Sequence, residues 1–132
     1  MSAELRRKIR SEMDLRRVVL ESTLYSQEAG FDEAPSRMIA TAVSELGRNI
    51  LKYAGSGDFL LRRVKRPSGH GIEMQVSDHG PGIPDTEQAM QDNFSSGGTL
   101  GMGLPGVKRM MDEFTLESAP GEGTRVTARK WI

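Results

Sequence analysis

Residues 72–83 read Ile-Glu-Met-Gln-Val-Ser-Asp-His-Gly-Pro-Gly-Ile, and how this stretch is read decides the fold. Ile72, Met74 and Val76 alternate with Glu73, Gln75 and Ser77, the period of two that marks a strand with one face in a core. The alternation stops at Asp78, so an acid and two glycines, Gly80 and Gly82, sit where a strand ends. Ionised, Asp78 only accepts hydrogen bonds; at the edge of an apolar slot it can take the exocyclic amine of adenine, where guanine presents a carbonyl. Gly80 and Gly82 would let the backbone come close to such a ligand. The same residues also suit a strand-end turn with Asx-type hydrogen bonding, and the stretch by itself leaves both readings open.

Upstream, Ile39, Ala42, Val43, Leu46, Ile50 and Tyr53 recur at helical spacing after Asp32 and Pro35, which predicts a helix to about Tyr53 with this stripe in the core. On a wheel of about 100° per residue, Glu45, Asn49 and Lys52 fall roughly 60° to 120° to one side of Leu46, along one border of the buried stripe. Polar side chains on that border are partly desolvated yet can reach a ligand. The Asn49 amide oxygen is a hard donor suited to Mg²⁺, which keeps waters and phosphate oxygens in its shell. Glu45, one turn earlier, is placed to accept a proton from an attacking hydroxyl. A solvated carboxylate and a tolerated asparagine would give the same letters. Arg48 falls about 200° from the core direction, which argues against a direct catalytic role. Leu51 is expected to face away from the stripe.

Downstream, residues 97–106 read Gly-Gly-Thr-Leu-Gly-Met-Gly-Leu-Pro-Gly, and seven of the 15 glycines lie between Gly80 and Gly106. This predicts a mobile loop interrupted at most by a short helix near Asp85 to Met90, then a helix from Pro105 through Asp112. Glycines leading into a helix N-terminus expose N–H groups and the positive end of its dipole, a cradle for phosphate. No GKS or GKT follows, which excludes a Walker loop, and no strand directly precedes, which excludes a Rossmann turn.

The remaining segments predict an edge strand around Lys8 to Ser11, a helix capped by Asp14 and ended by Gly30, strands at Phe59 to Lys65 and Ile72 to Ser77 joined by residues 67–71, and a closing hairpin of Phe114 to Ser118 and Thr124 to Trp131. Arg62, Arg63, Lys65 and Arg66 read as a solvated edge that discourages strand pairing. The 132 residues are about one domain, 1–132. Eighteen basic residues balance 18 acidic ones, so no global field draws the chain to nucleic acid or an anionic membrane. The absence of cysteine removes disulfides and thiolate metal sites and fits a reducing compartment. No run approaches the ~20 apolar residues of a spanning helix, so a cytoplasmic protein is expected.

Four stretches in order, ELGRNILKY (45–53), DHGPGI (78–83), GGTLGMGL (97–104) and GEGTRV (121–126), resemble the N-box, first glycine box, second glycine box and closing Gly-Thr turn of the GHKL nucleotide-binding domains of gyrase-type, Hsp90-type, MutL-type and histidine-kinase proteins. TAVSELGRNI and GLPGVKRMMDEF make the chain most similar to the bacterial stressosome switch serine/threonine kinases within that family. The resemblance implies an α/β (α+β) two-layer sandwich, a mixed sheet with helices on one face and ATP between the layers. It implies Asn49 as Mg²⁺ ligand, Glu45 as catalytic base, Asp78 as adenine reader, and Gly80, Gly82 and Ile83 as pocket wall. Gly101 and Gly103 are implied as lid and phosphate contacts, Gly98 and Leu104 as further nucleotide-binding residues, Met102 as lining the adenine slot, Thr124 as support on the adenine side, and Lys52 as a weaker phosphate contact. The double serine Ser95-Ser96 departs from the lid pattern expected of the family.

The activity so implied is transfer of the γ-phosphoryl group of Mg-ATP to a Ser or Thr of a STAS-domain partner, with release then freeing the kinase to activate a PP2C-type phosphatase. Two alternatives stay open on the residues alone: an anti-sigma factor that holds a sigma factor and phosphorylates its antagonist, and a nucleotide-sensing adaptor without turnover.

Overall fold

A computed structural model describes residues 4–83, 90 and 103–132. Among them the order is β1 (Leu5–Ile9), α1 (Glu12–Ala29), α2 (Glu33–Tyr53), β2 (Gly57–Arg66), β3 (Gly69–Asp78), α3 (Gly103–Met110), β4 (Glu113–Ser118) and β5 (Thr124–Trp131). The expected short helix near Asp85 lies outside the described residues, Met90 excepted.

Helix α1 starts earlier than Asp14. Ser11 is extended at φ −155° and its Oγ accepts the Asp14 N–H at 3.1 Å, while Asp14 Oδ2 accepts the Arg10 N–H at 3.0 Å. Asp14 therefore closes a reciprocal cap from inside the first turn, and the strand before it stops at Ile9. Gly30, at φ +108°, ends the helix with its N–H on the Ser26 and Gln27 carbonyls, the left-handed cap that glycine adopts without strain. Helix α2 then runs back along α1 and buries Ile39, Ala42, Val43, Leu46, Gly47 and Ile50. The two helices cross closely at Gly47, where a Cβ would come within 2.2 Å of Leu15 Cδ1. Leu51 is half-buried and packs against the core, not turned away from it. Tyr53 leaves the stripe at its last turn and is 48% exposed.

The sheet order is β1-β2-β3-β5-β4 and every pairing is antiparallel, so the expected two-layer sandwich is present with an antiparallel sheet in place of a mixed one. The topology gives the reason. An α1–α2 hairpin returns the chain to the end where β1 stopped, pairing Ile9 with Gly57. β3 and β4 run the same way, but β5 inserts between them. The β2–β3 strands also extend further than their apolar patterns, to Arg66 and Gly69, leaving a two-residue turn at Pro67 and Ser68. Among the described residues β1 pairs with residues 57–61; the basic run from Arg62 to Arg66 lies beyond that pairing, toward the sheet edge, where charge is favoured.

Two rows of side chains cross the helix-facing side in register: Leu61, Met74, Ala128 and Phe114, then Phe59, Val76, Val126 and Leu116. With α1 and α2 they form the core, each large side chain contributing about 1.5–3 kcal/mol by burial. On the other side, Glu73 has a side chain 2% exposed, with Oε2 2.6 Å from Arg129 Nε and Oε1 2.9 Å from Arg62. Burial pushes this carboxyl up, but the hydrogen bonds from Arg129 and Arg62 and their charges outweigh it and hold it below its ordinary value. No helix among the described residues is long and apolar enough to cross a membrane.

Candidate functional site

One step beyond the second apolar row, the helix-facing side of the sheet turns polar: Asp78 lies opposite Thr124, and Thr124 opposite Ser118. The parity of β3 that buries Ile72, Met74 and Val76 carries Asp78 onto the same face, so the strand delivers its carboxylate to the end of an apolar slot. A cavity of about 300 Å³ opens there between α2 and the sheet, at the small end of the ~300–1,000 Å³ typical of ligand sites. Leu46 and Ile50 of α2 line one side, Val76 and Val126 the other, with Asp78, Thr124 and Asn49 as the polar groups on its wall. Gly103 and Leu104 bring the first turn of α3 to the same cavity. With Pro105 in that turn, its N–H groups and dipole present a positive end to an anion.

The glycine-box turn is held from three sides. Asp78 Oδ1 accepts the Gly80 N–H at 2.8 Å while the residue also lines the cavity, so the strand-end turn and the acidic cavity wall exist together. Gly121 donates its N–H to the Pro81 carbonyl at 2.7 Å, and Ile83 donates its N–H to Ser118 Oγ at 2.7 Å. Both glycines are required by the protein's own packing. A Cβ on Gly80 would lie 2.7 Å from Ala54 Cβ, just past α2, and one on Gly82, at φ +80°, would lie 2.1 Å from the Ala119 carbonyl oxygen in the β4–β5 turn. Absence of a side chain lets the loop wedge between the end of α2 and that turn, which positions Asp78.

Of the residues singled out from sequence, the fold therefore brings Asn49, Asp78, Gly82, Ile83, Gly103, Leu104 and Thr124 to one cavity. Gly80 supports it from behind. Glu45 is half-buried one turn before Asn49 and Lys52 is exposed with its ammonium 5.2 Å from the Tyr53 ring centroid; neither lines the cavity. Arg48 is exposed, as the wheel placed it. Gly98, Gly101 and Met102 lie outside the described residues. The sequence reading missed Tyr53 and Pro81 as wall residues and Ser118 as an anchor. Tyr53 belonged by period to the core, and Ser118 carries no local signal, since only the pairing of three strands sets it in line with Thr124 and Asp78.

Known proteins resemble this chain in sequence and in fold. The family model for histidine kinase-, DNA gyrase B- and HSP90-like ATPases matches residues 34–131. The serine/threonine-protein kinase RsbT of Bacillus subtilis is 49% identical over 107 residues, covering 81% of this chain and 80% of its own. An anti-sigma F factor of a Thermoanaerobacter species is 38% identical over 98 residues, 71% of this chain and 68% of its own. Among solved structures, one of the RsbU and RsbW domains of a Mycobacterium tuberculosis protein superposes with a TM-score of 0.66 at 16% identity, covering 98% of this chain and 32% of that one. The mycobacterial sensor histidine kinase MprB gives 0.55 at 19%, covering 98% and all of its chain. This chain thus spans about a third of the former structure, and at these identities both speak to the fold alone. The cavity of Asn49, Asp78 and Thr124 and the match over residues 34–131 agree: the chain belongs to the histidine kinase-, DNA gyrase B- and HSP90-like ATPase family.

Proposed function

We propose that this protein is a Mg-ATP-dependent serine/threonine-protein kinase that works by partner switching, residues 1–132 acting as one cytoplasmic catalytic unit. The observation that carries this reading is the cavity itself, in which an amide from α2, a carboxylate at the end of β3 and the first turn of α3 meet around an apolar slot. Its kinship with a serine/threonine-protein kinase at 49% identity supports the phosphotransfer chemistry. The adenine base occupies the slot with its amino group on Asp78, beside Thr124. Its triphosphate runs toward the start of α3, where backbone N–H groups favour anions, and Lys52 assists from the rim. The donor set fits Mg²⁺: Asn49 in the cavity wall offers one hard amide oxygen, to which phosphate and water oxygens would add. When bound there, the ion would offset negative charge on the phosphate oxygens.

Glu45, half-buried one turn from Asn49, accepts the proton of the attacking Ser or Thr hydroxyl as its oxygen bonds to the γ-phosphorus and ADP departs. The acceptor protein is a STAS-domain regulator, and release from it leaves the kinase free to act on a PP2C-type phosphatase. Glu45→Gln tests the assignment. With radiolabelled ATP and a STAS-domain substrate, transfer should fall at least about a hundredfold while ATP affinity by calorimetry stays within about threefold. Undiminished transfer would remove Glu45 as the base, and a wild-type protein that binds ATP yet labels no STAS domain would sink the kinase reading in favour of a nucleotide-sensing adaptor. The 38% identity to an anti-sigma F factor favours, as a second reading, a chain that also holds a sigma factor; co-purification with a sigma subunit tests it.

A further inference from the structure

Ser118 makes three contacts at once: Ile83 N at 2.7 Å, Gly123 O at 2.9 Å and Thr124 Oγ1 at 2.8 Å. A serine hydroxyl has one proton and two lone pairs. The Ile83 N–H can only donate and the Gly123 carbonyl can only accept, so the Ser118 proton goes to Gly123 and one lone pair to Ile83. The contact to Thr124 must then use the second lone pair, which makes Thr124 the donor. Thr124 has a single hydroxyl proton, so the oxygen it keeps for the cavity is an acceptor only. Across the strand pair, Asp78 has Oδ1 on the Gly80 N–H and no other hydrogen-bond partner for its carboxylate among the described residues.

We infer that Ser118 is a specificity-determining residue that acts through Thr124: by taking up that proton it turns Asp78 and Thr124 into a pair of acceptors, which selects a nucleobase presenting an amino group and rejects one presenting a carbonyl at the same position. The inference rests on the reading that the cavity holds a purine nucleotide. It goes further in assigning the selection to a strand outside the glycine boxes and in fixing the direction of each hydrogen bond. Orienting Ile83 is a second consequence of the same hydroxyl, because the turn between Asp78 and Ile83 is pinned to β4 through it.

The test is calorimetric, with ATP, ITP, whose base carries a carbonyl in place of the amine and a proton on N1, and purine riboside triphosphate, which carries hydrogen in place of the amine and keeps N1 an acceptor. Wild type should bind ATP most tightly. In Ser118→Ala the Thr124 hydroxyl is free to rotate and donate, so the ATP-to-ITP affinity ratio should narrow by about tenfold, mainly through tighter ITP binding, with purine riboside triphosphate changing less. Ser118→Thr keeps the hydroxyl and should keep the wild-type ratio. A purely structural role would weaken all three nucleotides alike and leave the ratio unmoved, which would overturn the inference. Should Ser118→Ala fail to fold, Thr124→Val decides: a narrowed ratio supports the acceptor pair, and an unchanged ratio refutes it. A wild-type protein that binds ATP with ratios insensitive to these variants sinks only the role of Ser118; one that binds none of the three sinks the nucleotide reading with it.

Discussion

Replacing Gly82 by alanine separates two reasons for the glycine in the Asp-x-Gly-x-Gly box. If glycine is there to let a ligand approach, the unliganded protein should tolerate a methyl group. The packing predicts otherwise. The backbone sits at φ +80°, where an L-residue costs about 1–2 kcal/mol. The new Cβ would lie 2.1 Å from the Ala119 carbonyl oxygen and 2.8 Å from its carbon, so this backbone carbonyl must retreat by more than about 1 Å to regain a van der Waals separation near 3.5 Å. Such a shift takes with it the Gly121-to-Pro81 hydrogen bond of 2.7 Å in the same turn, worth about 1 kcal/mol. Together the terms give about 2–3 kcal/mol, roughly a 30- to 150-fold loss in the folding equilibrium and a melting point lower by roughly 10 °C. Urea and thermal unfolding of the nucleotide-free protein measure it. An unchanged midpoint accompanied by lost ATP binding would refute the packing argument and restore ligand approach as the reason for the glycine.

The Glu73 carboxylate predicts a pH dependence. Because its folded value is held below the ordinary 4.5, its stabilisation is fully present above about pH 4.5 and is lost as pH falls through the lower folded value. Glu73→Gln should cost about 1.5–2 kcal/mol at pH 7, the low end for charged hydrogen bonds because both guanidinium partners are well exposed; the gap to wild type in urea midpoints should close under acid, and a gap independent of pH would count against the ion cluster. Ser11→Ala removes the α1 cap at the Asp14 N–H and should lower stability by about 1 kcal/mol without altering ATP affinity at the distant cavity, which unfolding and calorimetry on one preparation would check.

Much of the site was legible from local pattern. The alternation of Ile72, Met74 and Val76 forced Asp78 onto the core face, and the stripe through Leu46 and Ile50 forced Asn49 to its border, because strand and helix periods fix the direction of a side chain before any tertiary contact forms. The same reasoning placed Arg48 outward and Gly30 at the end of α1. It could not tell a mixed sheet from an antiparallel one, since strand pairing depends on where the connecting helices return the chain. Nor could it say why Gly80 and Gly82 are glycines: their neighbours, Ala54 and Ala119, lie on segments remote in sequence. Ser118 is the clearest case. One serine in Glu-Ser-Ala-Pro is an unremarkable end to a strand until β5 lies between β3 and β4 and sets it in line with Thr124 and Asp78. Residue chemistry and period, both local, determined which side chains face the interior; proton direction and close approach depend on atoms brought together from distant parts of the chain, and only the assembled sheet decided them.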